Sequence, residues 1–464
     1  MRSVAQYNSN NSWLYNQDNG CLNNNNKYNT LTCRALDYID LSLFDKDEFL
    51  YLLRLFYESY RECSRKKSNK PSHLEFLYNL PERLVKLVAD VIQRKYVPRE
   101  SICFIILYPK IREVIAPDFV DRIVQTFYVL ELEPYLERLW FVDDSYSCRK
   151  GKGGIKAVLK LQEYVRQETK EYTEDVILVK RDIRSFFPSI DPDVVVNIMT
   201  AFIKEEYPDG YMKDLLLYLT PAIYKSCPQK NCRYHGDPAL MDLLDPKKRI
   251  MGKDNGLPIG NRTSQLAANV ITTPYLLLLQ ILGYKFVHYT DDTAIIVHDY
   301  KRWQKDEKTI ENFISKKLHL KWHPDKKYVQ HYSKGIEFLG FKIKKDRILP
   351  SDRVAHNFIW NVERAIKKTN ENENYMYINK ESFMQTVNSY TGLLKWTSSN
   401  MLLCREFDKM IGSELCDFYD FTPLDKINVK ESKTRESYFG FINKQEKVEK
   451  RKKEINKRKQ YEKS

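Results

Sequence analysis

No uninterrupted apolar segment in this sequence reaches the length that a bilayer span requires, and the first residues, MRSVAQYNSNNSW, lack the hydrophobic stretch of a secretory signal peptide. We therefore expect a cytoplasmic protein that has no membrane partner. The cysteines offer no compact disulfide framework, because the nine of them are an odd number scattered along the chain, and they fit a reducing compartment. No internal repeat is evident.

The chain is instead rich in apolar and positively charged side chains. Its 464 residues are 42% hydrophobic, which allows two or three domains with well-filled cores. A formal net charge of +14 favours polyanionic partners, with nucleic acid ahead of an anionic membrane surface. One cluster, Cys227, Cys232 and His235, lacks the second pair of ligands that zinc normally takes. We interpret it as a loop with incidental thiols and assign no metal to it.

Composition and periodicity divide the chain into an Asn-rich start, a mainly helical part, an α+β part, a second helical part and a basic end. The basic end carries ten Lys or Arg and four Glu, so it is either a solvated helix or tail, or a grip on a polyanion. The boundaries are residues 1–34, 35–174, 175–345 (with further helices over 190–285), 346–442 and 443–464.

The stretch FVHYTDDTAIIV places two acids in the middle of strand-like residues. The apolar runs Phe286–Tyr289 and Ala294–Val297 predict the arms of a β-hairpin, with Asp291 and Asp292 at its tip. Carboxylates beside packed strands are costly unless a cation compensates them. The tip is therefore a platform for a divalent metal or a turn with solvated acids.

A third acid, Asp182, ends the strand-like run VILVKRD. Three carboxylates on two strand ends could bind two Mg²⁺ ions, as in phosphoryl or nucleotidyl transfer. Between the acids lies NGLPIGNRTSQ, whose glycines permit close approach by a base or sugar. Upstream segments are basic and glycine-rich, as in loops that fold over a triphosphate, and supply Lys110, Arg112, Arg149, Lys150 and Lys152.

Seven segments together make the chain resemble a reverse transcriptase. They are KIREVI with the DR that follows, SYSCRKGKG, RDIRSFF, GLPIGNRTSQ, YTDD, HPDKK and IEFLGF, and they occur in the family's order over roughly residues 105–345. The segments SYSCRKGKG and GLPIGNRTSQ are most similar to prokaryotic enzymes of diversity-generating retroelements and of antiviral defence loci. The order of the set is far more specific than any one member.

The resemblance implies an α+β, right-hand polymerase fold. Residues 35–174 would form a helical extension and the fingers, 175–345 the palm with its antiparallel sheet, and 346–442 a helical thumb. It also implies an RNA template, which a dedicated non-coding RNA could supply, together with a DNA product and dNTP substrates. A homo-oligomer or a partner protein remains open. Antiviral defence is the expected biological role, and a retroelement enzyme is the alternative.

The same resemblance assigns roles to individual residues. Asp182, Asp291 and Asp292 would be the catalytic metal ligands, joined by the backbone carbonyl of Ile183, for two Mg²⁺ ions that Mn²⁺ could replace. Lys326 or Lys327 would protonate the pyrophosphate, unless both are simply solvated. Phe187 would exclude a ribose 2′-hydroxyl, although either Phe186 or Phe187 could belong to the core. The nucleotide-binding set is Arg112, Arg149, Lys150, Ser185, Phe186, Phe187, Ile259, Gly260 and Gln265, and the primer grip is Phe338, Leu339 and Gly340.

Two positions depart from the family pattern. Ile259 stands where many relatives carry Gln, which removes a polar contact and puts ordinary fidelity in doubt. Thr290 replaces the commoner small apolar residue before the acid pair, but a β-branched residue suits a strand. No second cluster of acids or histidines follows residue 350, so we expect no appended nuclease.

Two rival interpretations are an RNA-directed RNA polymerase, which Phe187 argues against, and a nucleic-acid-binding scaffold with a vestigial polymerase site. Retention of the three acids and of the loop glycines argues against the scaffold.

Overall fold

The computed structural model describes residues 45–65, 70–107, 110–246, 249–372, 374–398, 400–420 and 428–429. The Asn-rich segment 1–34 and the basic segment 443–464 lie outside the described residues. The first half of the chain contains α1 (Lys46–Ser64), α2 (Pro71–Tyr78), α3 (Leu80–Ile92), β1 (Ser101–Ile106), β2 (Arg112–Ala116), α4 (Phe119–Leu139), α5 (Gly154–Glu168), β3 (Ile177–Asp182), α6 (Phe186–Ser189), α7 (Pro192–Glu206), α8 (Tyr211–Tyr224) and β4 (Cys232–Tyr234).

The second half begins with helices around a hairpin and ends in a helical region. Its elements are α9 (Ala239–Asp242), α10 (Arg262–Ile281), β5 (Lys285–Tyr289), β6 (Asp292–Val297), α11 (Tyr300–Lys317), β7 (Tyr328–His331), β8 (Ile336–Phe338), β9 (Phe341–Ile343), β10 (Ile348–Pro350), α12 (Asp352–Glu371), α13 (Asn374–Leu394), α14 (Asn400–Ile411), β11 (Tyr419–Asp420) and β12 (Asn428–Val429).

Helix boundaries follow local signals in the sequence. Asp191 caps α7 as predicted, because its carboxylate accepts from the N–H of Asp193 and Pro192 takes the first helical position. The helical pattern of LEFLYNLPERLVKLVADVIQRK, however, is divided into α2 and α3 at Asn79. The cause is Pro81, whose ring clashes with the preceding turn of a continuous helix.

An antiparallel sheet in the order β5-β6-β3-β7 forms the centre of the molecule. Adjacent residues of its strands contact two different cores: Val179 faces the helices α1, α4, α7, α10 and α11, while Leu178 faces α5 and the strands β8–β10. Burial on both sides explains why β6 has a continuous apolar run, Ala294–Val297, rather than an alternating pattern. The sheet holds β3 and β6 side by side, which places Asp182 at the end of β3 beside Asp292 at the start of β6.

Three smaller sheets accompany the central sheet among the described residues. Their strand orders are β2-β1-β4, β10-β9-β8 and β11-β12. The predicted boundary at 345/346 falls between β9 and β10, which pair with each other through Ile343 and Ile348. After β10, helices α12–α14 enclose a core of their own. None of the described helices is both apolar enough and long enough for a membrane span.

Candidate active site

The two acids of the YTDD segment lie at a hairpin turn, as predicted. Tyr289 pairs with Asp292 across the antiparallel strands, so Thr290 and Asp291 form a two-residue turn. Both strands begin earlier than predicted, β5 at Lys285 and β6 at Asp292 itself. Thr290 has a φ of 59°, a left-handed conformation that costs a β-branched residue about 1–3 kcal/mol. The contacts around this turn must therefore stabilise it.

The third acid reaches this turn from the neighbouring strand. Asp182, the last residue of β3, lies directly opposite Asp292 in the β3–β6 pair, so the two side chains share a face of the sheet. The N–H of Ile183 donates to the carbonyl oxygen of Asp291 at 3.1 Å and ties the end of β3 to the turn. Carboxylate oxygens of the three aspartates lie within 4.8 Å of one another. Their predicted convergence is confirmed.

Three clustered carboxylates disfavour one another's charged forms. Burial, followed by the charges of Asp292 and Asp182, raises the pKa of Asp291 to about 7. Burial also raises the pKa of Asp292, against the attraction of nearby lysines that include Lys180 and Lys110. Carboxylate oxygens are the donors that Mg²⁺ prefers, and a divalent cation between them would remove this repulsion. The three residues therefore fit the metal site that the sequence predicts.

The two candidate proton donors contact different groups. The Nζ of Lys326 lies 2.6 Å from Oδ2 of Asp182. Burial alone would lower the pKa of Lys326, but the hydrogen bond to Asp182 and the charges of the three acids raise it. Lys327 instead forms an ion pair with Glu307 on α11, and the same carboxylate lies 3.5 Å from Arg181. Of the two lysines, Lys326 is the one that touches the acids.

The segment after Asp182 separates the two phenylalanines. Ser185 has a φ of 46° and precedes the short helix α6. Phe186 is only 4% exposed and belongs to the core, whereas Phe187 is half-buried. Phe186 is also a predicted nucleotide contact, and in this structure its ring is enclosed by the protein. Phe187 keeps a surface that a substrate can reach.

The loop that contains GLPIGN packs against this segment. The N–H of Gly256 donates to the carbonyl of Ile190 at 3.0 Å, and the N–H of Leu257 donates to the carbonyl of Phe187 at 2.9 Å. Gly256 has a φ of 100°, and a Cβ there would lie 3.0 Å from the carbonyl oxygen of Pro188. Glycine is required here for both reasons.

The other end of the loop contacts strand β2. The carbonyl of Ile259 accepts from the N–H of Ile115 at 3.2 Å. The side chain of Ile259 is half-buried, while Gly260 and Gln265 are exposed. These three predicted nucleotide contacts therefore retain accessible surface next to β2.

Arg149, a predicted triphosphate ligand, is engaged by the protein itself. It is buried, and its guanidinium makes a bidentate pair with Glu137, with Nη2 to Oε2 at 2.7 Å. Its Nη1 donates to the carbonyls of Val142 and Ser145 at 2.5 and 2.8 Å. Every nitrogen of the side chain is thus engaged by the protein. The predicted contact of Arg149 with a triphosphate stays a prediction, and in this structure its guanidinium holds the basic loop from inside.

Three of the other predicted basic residues, Lys110, Arg112 and Lys150, are exposed, whereas Lys152 is half-buried and pairs with Asp143 at 3.0 Å. Arg112 lies on β2. Lys150 lies near Glu133: burial raises the pKa of Glu133, and the charge of Lys150 opposes that rise. Lys110, just before β2, is close enough to Asp292 to oppose the rise of its pKa. Lys110 is therefore a cation of this region whose charge reaches the acids.

The predicted primer grip is a tight hairpin beside the YTDD turn. Phe338 is fully buried, and Leu339 and Gly340 form the turn with φ values of 52° and 85°. Positive φ at both central residues defines the turn type that matches strand twist. A Cβ added to Gly154 would lie 3.7 Å from Leu339 and 3.9 Å from Tyr289. The two hairpins therefore meet at the start of α5.

Buried polar residues support the YTDD turn, and sequence reasoning missed them. The Oγ of Ser147 lies 2.5 Å from Oγ1 of Thr290, and Nδ2 of Asn269 donates to the carbonyl of Ser147 at 2.9 Å. His288 is fully buried with Nδ1 2.9 Å from Oγ1 of Thr293, and burial lowers its pKa to about 3. The only signal in the sequence was the position of Ser147 within SYSCRKGKG.

Comparison with known proteins places this site in a family. No curated protein matches the chain. Among solved structures, it is similar to telomerase from Candida albicans in complex with a TWJ fragment of telomeric RNA, at 11% identity and a TM-score of 0.40, over 69% of this chain and 63% of the other. It is also similar to the corresponding Candida tropicalis complex, at 11% identity and a TM-score of 0.42, over 70% and 58%. The chain thus spans less than two-thirds of these telomerase chains.

The family comparison covers just over half of the chain. The profile described as reverse transcriptase (RNA-dependent DNA polymerase) matches residues 108–343, which include the three aspartates, the GLPIGN loop and the hairpin of Leu339. The fold is accordingly the α+β right-hand polymerase fold of that family. The chain belongs to the reverse transcriptase family.

Proposed function

We propose that this chain is an RNA-directed DNA polymerase that adds deoxynucleotides to a primer end at Asp182, Asp291 and Asp292. The observation that carries this proposal is the pairing of Asp182 with Asp292 across β3 and β6, with oxygens of all three acids within 4.8 Å of one another. Such convergence has a chemical use in nucleotidyl transfer, where two phosphate-bound cations need shared carboxylates.

The three carboxylates, with the backbone carbonyl of Ile183, would hold two Mg²⁺ ions, or Mn²⁺ in their place. When bound, these ions supply activation of the primer hydroxyl and neutralisation of the leaving phosphates. The raised pKa of Asp291 supports this assignment. It shows that the clustered carboxylates repel one another when no cation is bound, and a bound cation would relieve that repulsion.

Lys326 is the proposed proton donor to the departing pyrophosphate. Its ammonium lies 2.6 Å from Asp182 and is kept charged by the acids. If the ammonium of Lys326 moved from Asp182 to a phosphate, it would lie at the leaving group as a general acid. Lys327 is not proposed for this role, because Glu307 holds it.

Selection of the substrate is assigned to the surface between α6 and β2. We propose that the accessible edge of Phe187 excludes a 2′-hydroxyl and that Ser185, Ile259, Gly260 and Gln265 contact the nucleotide. Two hydrogen bonds that join the GLPIGN loop to α6 support this proposal, because they hold these residues next to Phe187.

Exposed cations beside this surface would bind the triphosphate. Lys110 and Arg112 at β2 and Lys150 in the basic loop are the candidates. The turn of Leu339 and Gly340, next to Tyr289, would hold the primer end.

The proposed partners are an RNA template, which a dedicated non-coding RNA could supply, the DNA product and dNTPs. A homo-oligomer or partner protein is a further proposal. The similarity of SYSCRKGKG and GLPIGNRTSQ to defence-associated enzymes supports a role in antiviral defence, in the cytoplasm.

The test is primer extension on matched RNA and DNA templates with dNTPs or rNTPs. The proposal predicts extension with dNTPs on RNA, and its loss when Asp291→Asn and Asp292→Asn are combined. Unchanged biological activity of that double variant would favour the scaffold interpretation. Extension with rNTPs alone would identify an RNA polymerase.

A further inference from the structure

A cleft of about 180 Å³ lies where α1, α4 and the start of α10 meet. Three arginines line it, namely Arg65 from the end of α1, Arg122 from α4 and Arg262 from the first turn of α10. One acid, Glu62, also lines it, so the cations outnumber the acids. A concave surface with this composition attracts anions.

The three arginines differ in how firmly they are placed. Nε of Arg122 donates to the carbonyl of Pro117 at 3.1 Å, and burial lowers the pKa of this guanidinium, so its position is fixed by the protein. Arg65 forms a 3.1 Å ion pair with Glu62, but both side chains are well exposed, and water and salt weaken such pairs. Arg65 can therefore turn from Glu62 to a ligand.

Backbone groups add to the positive character of the cleft. Arg262 is the first residue of α10, a helix of 20 residues whose N-terminus carries a partial positive charge. Gly260 lines the cleft with its backbone alone, because the side chain of Val114 lies 3.0 Å from where a Cβ would stand. Gln125 and Thr126 supply further polar groups in the wall.

We propose that this cleft binds a phosphate group. Guanidinium forks match phosphate oxygens in shape and charge, and a helix N-terminus directs N–H groups toward the same kind of anion. The phosphate belongs either to the backbone of a single-stranded nucleic acid or to a free phosphorylated molecule. The first source rests on the proposed function, whereas the second does not.

The cleft is coupled to the catalytic region through one loop. Gly260 lines the cleft, and Leu257, three residues earlier, bonds to the carbonyl of Phe187 beside the acids. A nucleic-acid strand bound in the cleft would thus contact the GLPIGN loop, which we propose contacts the nucleotide. This connection favours a nucleic-acid phosphate as the ligand.

The test measures binding without catalysis. Asp291→Asn and Asp292→Asn are introduced to remove synthesis, and the affinity for a labelled single-stranded RNA is measured by fluorescence anisotropy in EDTA at several salt concentrations. Addition of Arg65→Gln and Arg262→Gln is expected to weaken binding about tenfold and to reduce the salt slope by about one to two. The matched control is Arg61→Gln, an exposed arginine on α1 that does not line the cleft. It should change the affinity less than about twofold.

A second arm identifies a free ligand. Inorganic phosphate at constant ionic strength should raise the Tm of the parent but not of the Arg65→Gln, Arg262→Gln variant. A phosphate effect without an RNA effect would assign the cleft to a free phosphorylated molecule. The proposal is overturned if neither ligand distinguishes the variant, or if Arg61→Gln weakens RNA binding equally. Because these readouts need no synthesis, failure of the proposed polymerase activity would leave them unchanged.

Discussion

The hydroxyls of Ser147 and Thr290 lie 2.5 Å apart and join the basic loop to the turn that carries Asp291. The two residues are separated by 143 positions in the sequence. Asn269 holds the backbone of Ser147 from α10, so three elements converge on a turn whose φ of 59° is unfavourable for threonine. This contact stabilises the conformation that brings the acids together.

Removal of the Thr290 hydroxyl should therefore weaken metal binding. Thr290→Val keeps the side-chain shape but leaves the buried hydroxyl of Ser147 without this partner, at a cost of about 1–3 kcal/mol. We expect a severalfold higher Mg²⁺ concentration for half-maximal synthesis and weaker Mn²⁺ binding by electron paramagnetic resonance, with rescue in Thr290→Ser. Thr309→Val, on the exposed face of α11, is the control. If Ser147→Ala and Thr290→Val have fully additive effects, the two hydroxyls are not coupled.

Asp291→Asn should stabilise the metal-free protein at high pH. The folded chain raises the pKa of Asp291 from 3.8 to about 7, so between these values the folded state binds a proton that the unfolded state has lost. Stability therefore falls as the pH rises from about 4 to about 7. In EDTA, the Asn variant should gain about 4 kcal/mol at pH 8 and less than about 2 kcal/mol at pH 5, measured by urea denaturation. An equal gain at both pH values would contradict the assigned pKa.

Lys326→Gln and Lys327→Gln should have different effects although the residues are adjacent. Loss of a general acid at Lys326 should lower the single-turnover rate about 10²–10⁴-fold and alter the alkaline limb of its pH profile. Lys327→Gln breaks the pair with Glu307 and should lower stability by about 1–3 kcal/mol, while the rate per folded molecule stays near normal. Equal rate losses in the two variants would argue against Lys326 as the proton donor.

Phe187→Ala should relax discrimination between sugars. An opened site would admit the 2′-hydroxyl, and the ratio of rNTP to dNTP incorporation should rise about 10–100-fold in steady-state kinetics. Phe186→Ala is the matched control: it should destabilise the fold by about 3–5 kcal/mol and leave the sugar preference unchanged. A shift of preference in Phe186→Ala instead would reverse the two roles.

Periodicity and local signals in the sequence predicted most of the secondary structure near the site. The hairpin around Asp291 and the cap at Asp191 follow from neighbouring residues, and their outcomes agree with prediction. Pro81 was a local signal that was overlooked. Strand β10 was missed because three residues give no usable period, and only pairing with β9 makes them a strand.

The composition of the site was less predictable, because partners far apart in the chain decide it. In the sequence, Arg149 lies in a basic run and is predicted to bind phosphate. Its partner Glu137 becomes apparent only when α4 packs against that run in the fold. Lys326 and Lys327 are indistinguishable in the sequence until the fold places Asp182 beside one and Glu307 beside the other. Beyond its place in SYSCRKGKG, Ser147 gives no sign in the sequence of its contact with Thr290.

The most direct test of the central claim is single-turnover incorporation of one labelled deoxynucleotide on a primed RNA template in Mg²⁺. Wild-type protein and Asp346→Asn, which alters an exposed acid, should incorporate the nucleotide at similar rates. Asp182→Asn should be slower by about 10³-fold or more, because the shared carboxylate between the strands is lost. Incorporation by Asp182→Asn at the wild-type rate, or none by the wild type in either Mg²⁺ or Mn²⁺, would contradict the account.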